Sequence, residues 1–234
     1  MGEGRLMCSI RGSENRGIIL LSGGIDSTVT LYLAKKYGYK LHALIFDYGQ
    51  RHKKEIICAK RIAQLNKIKY FLVKINISWA KSSLTQKKMK VPLNRDLTKK
   101  EIPSTYVSAR NIIFLSYAAS LAESVKAKKI FIGAHIQDYS GYPDCRPEFL
   151  LAMEKALNLG LKEKGIKIEA PLINKGKTEI IKLGKELGVP FHLTWSCYKG
   201  GKFPCGRCDS CRFRINAFRE LGLVDPLLKK CRQR

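Results

Sequence analysis

The stretch "GIILLSGGIDSTVTLYLAKKYG", Gly17 to Gly38, decides how the rest of the chain is read. Its first five residues form an apolar run rich in branched side chains, the pattern of a strand. The run breaks at Ser22-Gly23-Gly24, and the spacing after it predicts a helix over about 27 to 37. Gly23 and Gly24 let the backbone turn sharply and come close to a ligand, while the helix start offers free N–H groups and a positive dipole end. Ser22, Ser27 and Thr28 add hydroxyl donors, so the loop reads as a phosphate cradle.

The same alternation continues along the chain. Strands are expected at 41–46, 69–75, 129–134 and 165–172, and helices at about 50–66, 108–125, 147–163 and 178–187, with Ser108 as N-cap of the third helix. Residues 76–105 are polar and irregular. Strand and helix in repeated succession predict an α/β fold, a doubly wound parallel sheet with helices on both faces and right-handed connections. In such sheets ligands bind where the loops after the strands converge. That rule brings Ser22–Ser27, Phe46–His52, Ser108–Asn111 and Asp138–Phe149 to one rim.

The cradle departs from two better-known ones. It has no Lys inside, unlike G-x-x-x-x-G-K-[ST], and it lacks G-x-G-x-x-G. Its pattern is S-G-G-x-D-S, in which Asp26 sits oddly beside phosphates unless Mg²⁺ intervenes or the carboxylate orients other groups of the loop. Lys177, in "PLINKGKTEI", stands just before a helix and offers a mobile positive charge to the same phosphates.

Composition bounds the reading. The 234 residues suffice for one core with a small appendage, at 45% hydrophobic and 27% charged. The longest nearly uncharged apolar stretch, Ile112 to Ala122, falls short of the roughly 20 residues of a membrane span. The start "MGEGRLMCSIRGSENRG" has no apolar signal region, which predicts a cytoplasmic location. A net charge of +25 favours anionic ligands without naming one. Its basic residues form no stripe with interleaved aromatics, so direct tRNA contact is not expected.

Of eight cysteines, Cys197, Cys205, Cys208 and Cys211 lie in "SCYKGGKFPCGRCDSC" with the spacing C-x7-C-x2-C-x2-C. Four thiolates so placed suit a closed, tetrahedral, structural Zn²⁺ site. An iron–sulfur cluster is the rival, because four thiolates serve it equally.

The S-G-G-x-D-S loop resembles the pyrophosphate-binding (PP) loop of the ATP pyrophosphatases, which cleave ATP between its α and β phosphates to adenylate a substrate oxygen. With "FDYGQRH", "SARN", "DYSGYPDCRPEF", "TWSCY" and the cysteine cluster, the chain from about Gly17 to Gly222 resembles the 7-cyano-7-deazaguanine synthase (QueC) family. The resemblance implies an adenine nucleotide alpha hydrolase-like PP-loop domain over 17–190 and a zinc-binding lobe over 191–222. An extension, 1–16, precedes them and a basic tail, 223–234, follows. It also implies a reaction, 7-carboxy-7-deazaguanine with ammonium and ATP giving the nitrile 7-cyano-7-deazaguanine (preQ0), and a homodimer. The nitrile feeds queuosine or archaeosine in tRNA, and the choice between them stays open.

Residue roles follow from that resemblance. ATP is expected at Leu20, Leu21, Ser22, Gly23, Gly24, Ile25, Asp26, Ser27, Thr28, Val29 and Thr30, with Mg²⁺, and catalysis at Ser22, Asp26, Ser27 and Lys177. Substrate is expected at Asp47, Gln50, Arg51, His52, Arg110, Asn111, Asp138, Tyr142, Asp144, Arg146, Glu148 and Phe149. Within that set, Asp138, Asp144 and Glu148 are candidates to accept from the deazapurine, Tyr142 or Phe149 to stack on it, and Arg110 or Arg146 to pair with anionic oxygens. A lone histidine such as His52 or His135 reads as core-satisfied or solvated. The alternative activity is a tRNA sulfur-transferring adenylase using the same loop.

Overall fold

The computed structural model describes residues 15–97, 101–138 and 141–228. Most of the expected N-terminal extension, with Cys8, and the end of the basic tail, with Cys231, lie outside the described residues.

Five strands, β1 (Arg16–Leu20), β2 (Lys40–Asp47), β3 (Lys69–Lys74), β4 (Lys129–Phe131) and β5 (Lys167–Glu169), form one sheet in the order β3-β2-β1-β4-β5. Every pairing is parallel, with Ile18 opposite His42 on one side of β1 and Ile130 on the other. Helices α1 (Ile25–Lys36) and α2 (Lys54–Leu65) cover one face, and α3 (Arg110–Ser124) and α4 (Pro147–Gly160) the other. Alternate residues of β1 point to opposite cores: Ile18 and Leu20 meet Leu115 and Ala119 of α3, whereas Ile19 joins Leu31 of α1 and Ile62 of α2. The expected doubly wound sheet is therefore present.

Helix α1 is buried along most of its length, its Ser27, Thr28 and Thr30 included, because it is covered twice. Its outer face, Ile25 and Val29, packs against Ile180 and Ile181 of α5 (Lys177–Glu186) and Phe218 of α6 (Asp209–Glu220). The chain winds from β1 to β3 in one direction and then crosses to β4 on the other side of β1. The crevice thus falls between the carboxyl ends of β1 and β4, where the strand order reverses.

Three local expectations change. Helix α2 begins at Lys54 rather than near residue 50, because Gln50 is buried and occupied in the preceding turn: its amide donates to the Phe46 carbonyl at 2.9 Å and accepts from the Tyr48 N–H at 2.8 Å. Ser108 does not cap α3. The N-cap is Ala109, held in the left-handed region at φ 55°, and the orphan N–H of Asn111 is satisfied instead by Asp144 Oδ2 at 2.9 Å. Strands β4 and β5 keep only three residues each, the length over which they pair with one another; after β4 the chain turns into the crevice.

In the cysteine-bearing segment a buried ion pair ties α6 to the chain on either side of it. Arg214 of α6 donates from Nε and Nη2 to Asp225 at 2.7 and 2.8 Å, and from Nη1 and Nη2 to Thr194 Oγ1 and the Phe191 carbonyl at 2.8 and 3.0 Å. Both partners are over nine-tenths buried. Removing one partner strands the other charge in the core, so Asp225→Ala is expected to lower unfolding stability by about 3–5 kcal/mol in urea titration. A loss of less than about 1 kcal/mol would show that the pair is not the anchor.

Candidate active site

The loop after β1 is shaped by two close approaches. Gly23 has φ 81°, and a Cβ there would meet the Glu55 carbonyl of α2 at 2.3 Å. Gly133, just past β4, would place a Cβ 2.9 Å from backbone atoms of Asp26 and Ser27. The first turn of α1 is therefore clamped between α2 and the end of β4, in contact distance that only hydrogen side chains allow. Ser22 and Ser27 hydroxyls lie 3.0 Å apart, and Ser27 Oγ also accepts from the Ser22 N–H at 3.2 Å. Helix α1 has Gly24 as N-cap with no side-chain cap, which leaves its first N–H groups directed at the crevice.

That crevice is a cleft of about 230 Å³. Its wall takes Leu20, Leu21, Ser22, Gly24, Ile25, Asp26 and Ser27 from the loop, and Lys177 from the N-terminus of α5. Lys177 Nζ donates to Asp26 Oδ1 at 2.6 Å, joining positions 151 residues apart, and touches His135 Nε2 at 3.0 Å. Burial alone would raise the Asp26 pKa; Lys177, the strongest opposing group, holds its carboxyl well below the usual range. The structure thus resolves the oddity of Asp26: it orients the lysine. Two helix N-termini, of α1 and α5, meet at this cation, which makes the spot strongly attractive to phosphate.

The expected residues divide clearly. His52, Arg110, Asn111, Asp138 and Tyr142 join the loop residues on the cleft wall. Thr28 and Thr30 do not; their hydroxyls turn back onto the carbonyls of Gly24 and Asp26 at 2.6 and 2.8 Å, and Val29 is core. Gly23 serves from behind, through its backbone. Arg51 Nη2 is spent on the carbonyls of Gln86 and Met89 at 2.7 and 2.8 Å, and so pins the irregular segment 76–105. Asp47 pairs with Lys53 at 3.3 Å, and Asp144 caps α3. Arg146 and Glu148 begin α4 with Glu148 exposed, and Phe149 packs on the core beneath the cleft.

Other wall residues carried no signal of their own. Tyr48, Phe114 and Tyr198 bring aromatic rings and Trp195 brings an indole. Behind the wall, His135 is buried in the loop after β4, against Lys177. Arg110 stands at the aromatic end, with its guanidinium carbon 5.8 Å from the ring centres of both Tyr48 and Phe114 and its Nη1 3.5 Å from Tyr48 Oη. Its Nε is buried without a partner among the described residues. A half-buried guanidinium so lightly paired can still receive an anionic or oxygen-rich occupant. Cys145, also on the wall, accepts from Asn111 Nδ2 at 3.2 Å, and burial pushes its thiol well up, which makes it a poor nucleophile.

The Sγ atoms of Cys197, Cys205, Cys208 and Cys211 all lie within 4.8 Å of one another, and none is in a disulfide. Gly206, at φ 70°, turns the chain between the middle pair, and Cys208 is the N-cap of α6. The N–H groups of Cys205 and Cys208 donate to Cys197 Sγ and Cys205 Sγ at 3.3 Å each. Hydrogen bonds among the three lower the Cys197 thiol and raise those of Cys208 and Cys211, so one negative charge is shared within the cluster. Sulfurs about 2.3 Å from a tetrahedral metal stand about 3.8 Å apart, which this arrangement accommodates. The cluster can hold a metal ion, and it adjoins the cleft. Trp195 donates from its indole to the Cys197 carbonyl and from its backbone to the Gly23 carbonyl, both at 2.9 Å.

A parallel sheet with a phosphate-binding loop at its switch point and a lysine from a second helix N-terminus defines a PP-loop nucleotide-binding domain. Comparison with known proteins agrees. The fold resembles that of an NMN synthetase from Francisella tularensis, with a TM-score of 0.52 at 19% identity, over 93% of this chain and 81% of that one. The pattern of the family described as Queuosine biosynthesis protein QueC matches residues 16–222. A Clostridium kluyveri protein named 7-cyano-7-deazaguanine synthase is 52% identical over 222 residues, covering 92% of this chain and 98% of the relative. A Thermoplasma acidophilum protein of the same name is 50% identical over 220 residues, covering 92% of each. The chain belongs to the QueC family of 7-cyano-7-deazaguanine synthases.

Because Gly133 lets β4 pass against the phosphate loop, Gly133→Ala should displace Asp26 and Ser27. ATP affinity is expected to fall by about ten-fold or more, read by calorimetry, with the far-ultraviolet spectrum unchanged. ATP binding as tight as in the parent would contradict the clamp.

Proposed function

We propose that this chain converts 7-carboxy-7-deazaguanine and ammonium to 7-cyano-7-deazaguanine by two successive adenylations in the cleft at the ends of β1 and β4. The observation that carries this reading is the 2.6 Å contact between Lys177 and Asp26, which places a fixed cation at the phosphate loop. A carboxylate is a poor electrophile. Its acyl adenylate loses AMP readily, so ammonia gives the amide; the amide oxygen is then adenylated in turn and leaves as AMP, giving the nitrile. One loop serves both steps because each begins with an oxygen attacking the α phosphate.

Ser22, Ser27 and the N–H groups that open α1 hold the phosphates, which arrive with Mg²⁺, and Lys177 neutralises the charge that develops as pyrophosphate departs. Arg110 and the rings around it receive the deazaguanine. The cysteine cluster carries one structural Zn²⁺, held by Cys197, Cys205, Cys208 and Cys211. It fixes Trp195 and thereby the back of the phosphate loop. The active form is a homodimer in the cytoplasm. Among the described residues no helix is long and apolar enough to cross a membrane. The crowding of the four cysteines argues against sulfur transfer to tRNA, which needs a thiol free to carry persulfide.

Incubation with ATP, Mg²⁺, ammonium and the 7-carboxy acid is expected to yield the nitrile by mass with AMP and pyrophosphate. Lys177→Ala should lower kcat/KM by about 10²- to 10³-fold. ADP and phosphate in place of AMP and pyrophosphate would contradict adenylation. Elemental analysis is expected to return one zinc per chain, and stoichiometric iron would contradict the metal assignment.

A further inference from the structure

The acidic groups around the cleft differ in what already neutralises them. Asp26 is taken by Lys177 at 2.6 Å, and Glu55 pairs with His52 at 3.0 Å. Asp144 is spent on the first turn of α3. Asp138 is the remaining carboxylate on the wall. Its Oδ2 lies 3.5 Å from His135 Nε2, but that nitrogen is engaged elsewhere. Lys177 has only protons to give, so its 3.0 Å contact makes Nε2 an acceptor and leaves the ring proton on Nδ1. His135 therefore gives Asp138 no ring N–H, and among the described residues the donor to its carboxylate is the His135 backbone N–H, at 3.3 Å.

Position matters as much as charge. Through His135, Asp138 stands one side chain away from Lys177 and Asp26, at the phosphate end of the cleft, where on the adenylation reading the carbon bearing the adenylated oxygen would lie. Its side chain is about one quarter exposed, facing the cleft. Burial moreover pushes its carboxyl above the ordinary value, which suits a proton acceptor.

We propose that Asp138 is the ammonium site and the base that prepares it for attack, an assignment that rests on the adenylation reading above. The carboxylate binds ammonium and takes one proton, releasing ammonia against the acyl adenylate. The nitrogen lone pair forms the C–N bond, the C–O bond to AMP breaks with its electron pair leaving on AMP, and the nitrogen loses a second proton to solvent to give the amide, while Asp138 returns its own proton to solvent. In the second half-reaction the amide nitrogen loses one proton to solvent as its oxygen is adenylated, and Asp138 takes the remaining N–H proton as the C–O bond breaks with its electron pair on AMP and the C≡N bond forms.

The test separates the two half-reactions. Exchange of pyrophosphate into ATP, driven by the 7-carboxy acid without ammonium, reports adenylation alone. For Asp138→Asn, kcat/KM for ammonium is expected to fall about a hundred-fold. Exchange should stay within about three-fold of the parent, and hydroxylamine, a nucleophile uncharged at neutral pH, should form hydroxamate at a rate close to the parent's. An unchanged kcat/KM for ammonium would overturn the proposal. So would loss of exchange in the variant, which would place Asp138 on the deazaguanine ring instead. Rb⁺, similar in size to ammonium, provides a readout on the unmodified chain. It should raise the apparent KM for ammonium and leave exchange untouched, and absence of that competition counts against the site. Failure of exchange in the parent would refute the adenylation reading rather than this assignment.

Discussion

Two helix N-termini pointed at one spot repel each other unless something negative lies between them. In this fold α1 and α5 are so arranged, and Asp26 of one meets Lys177 of the other at 2.6 Å. The contact constrains the rest of the site. Asp26 directs the lysine, His135 accepts a second of its three protons, and the phosphate loop is left with N–H groups and hydroxyls free of any internal cation. The apolar packing of α1 against α5 and α6 places the pair, since Ile25 and Val29 share a core with Ile180, Ile181 and Phe218. Core packing and charge placement are one problem here, solved along one helix.

The cysteine-bearing segment belongs to the same construction. Read as a small appendage, it proves to be the back wall of the cleft: Trp195, Ser196, Tyr198 and Arg214 all line it. The backbone bond from Trp195 to Gly23 binds the segment to the phosphate loop, and the Arg214–Asp225 pair locks α6 to the chain around it. Two residues of the irregular stretch before it close over it, Asn94 donating from its backbone N–H to the Arg207 carbonyl and Arg95 pairing with Asp209, each at 2.9 Å.

Much of this was legible in the sequence. The apolar runs located all five strands, and the rule that ligands bind beyond the carboxyl ends of parallel strands selected the loop at Ser22 and the rim segments. Where the reading fell short, tertiary partners had replaced local ones. Ser108 lost its capping role to Asp144, more than thirty residues further on. Gln50 and Arg51 sit in a rim motif, yet their side chains satisfy nearby backbone carbonyls, an accounting invisible without the turn's geometry. A single histidine has no spacing to betray it, and His135 passed as bland. It follows β4 as directly as the Ser22 loop follows β1, so the strand-end rule was the signal that would have found it.

The central claim is that one cleft adenylates oxygens on the same carbon twice. Carboxylate-¹⁸O₂ substrate tests it most directly. Each oxygen should leave as part of an AMP, so mass spectrometry is predicted to find one ¹⁸O in each of two AMP molecules per nitrile and none in pyrophosphate. Label appearing in inorganic phosphate, or only one labelled AMP per nitrile, would contradict the account.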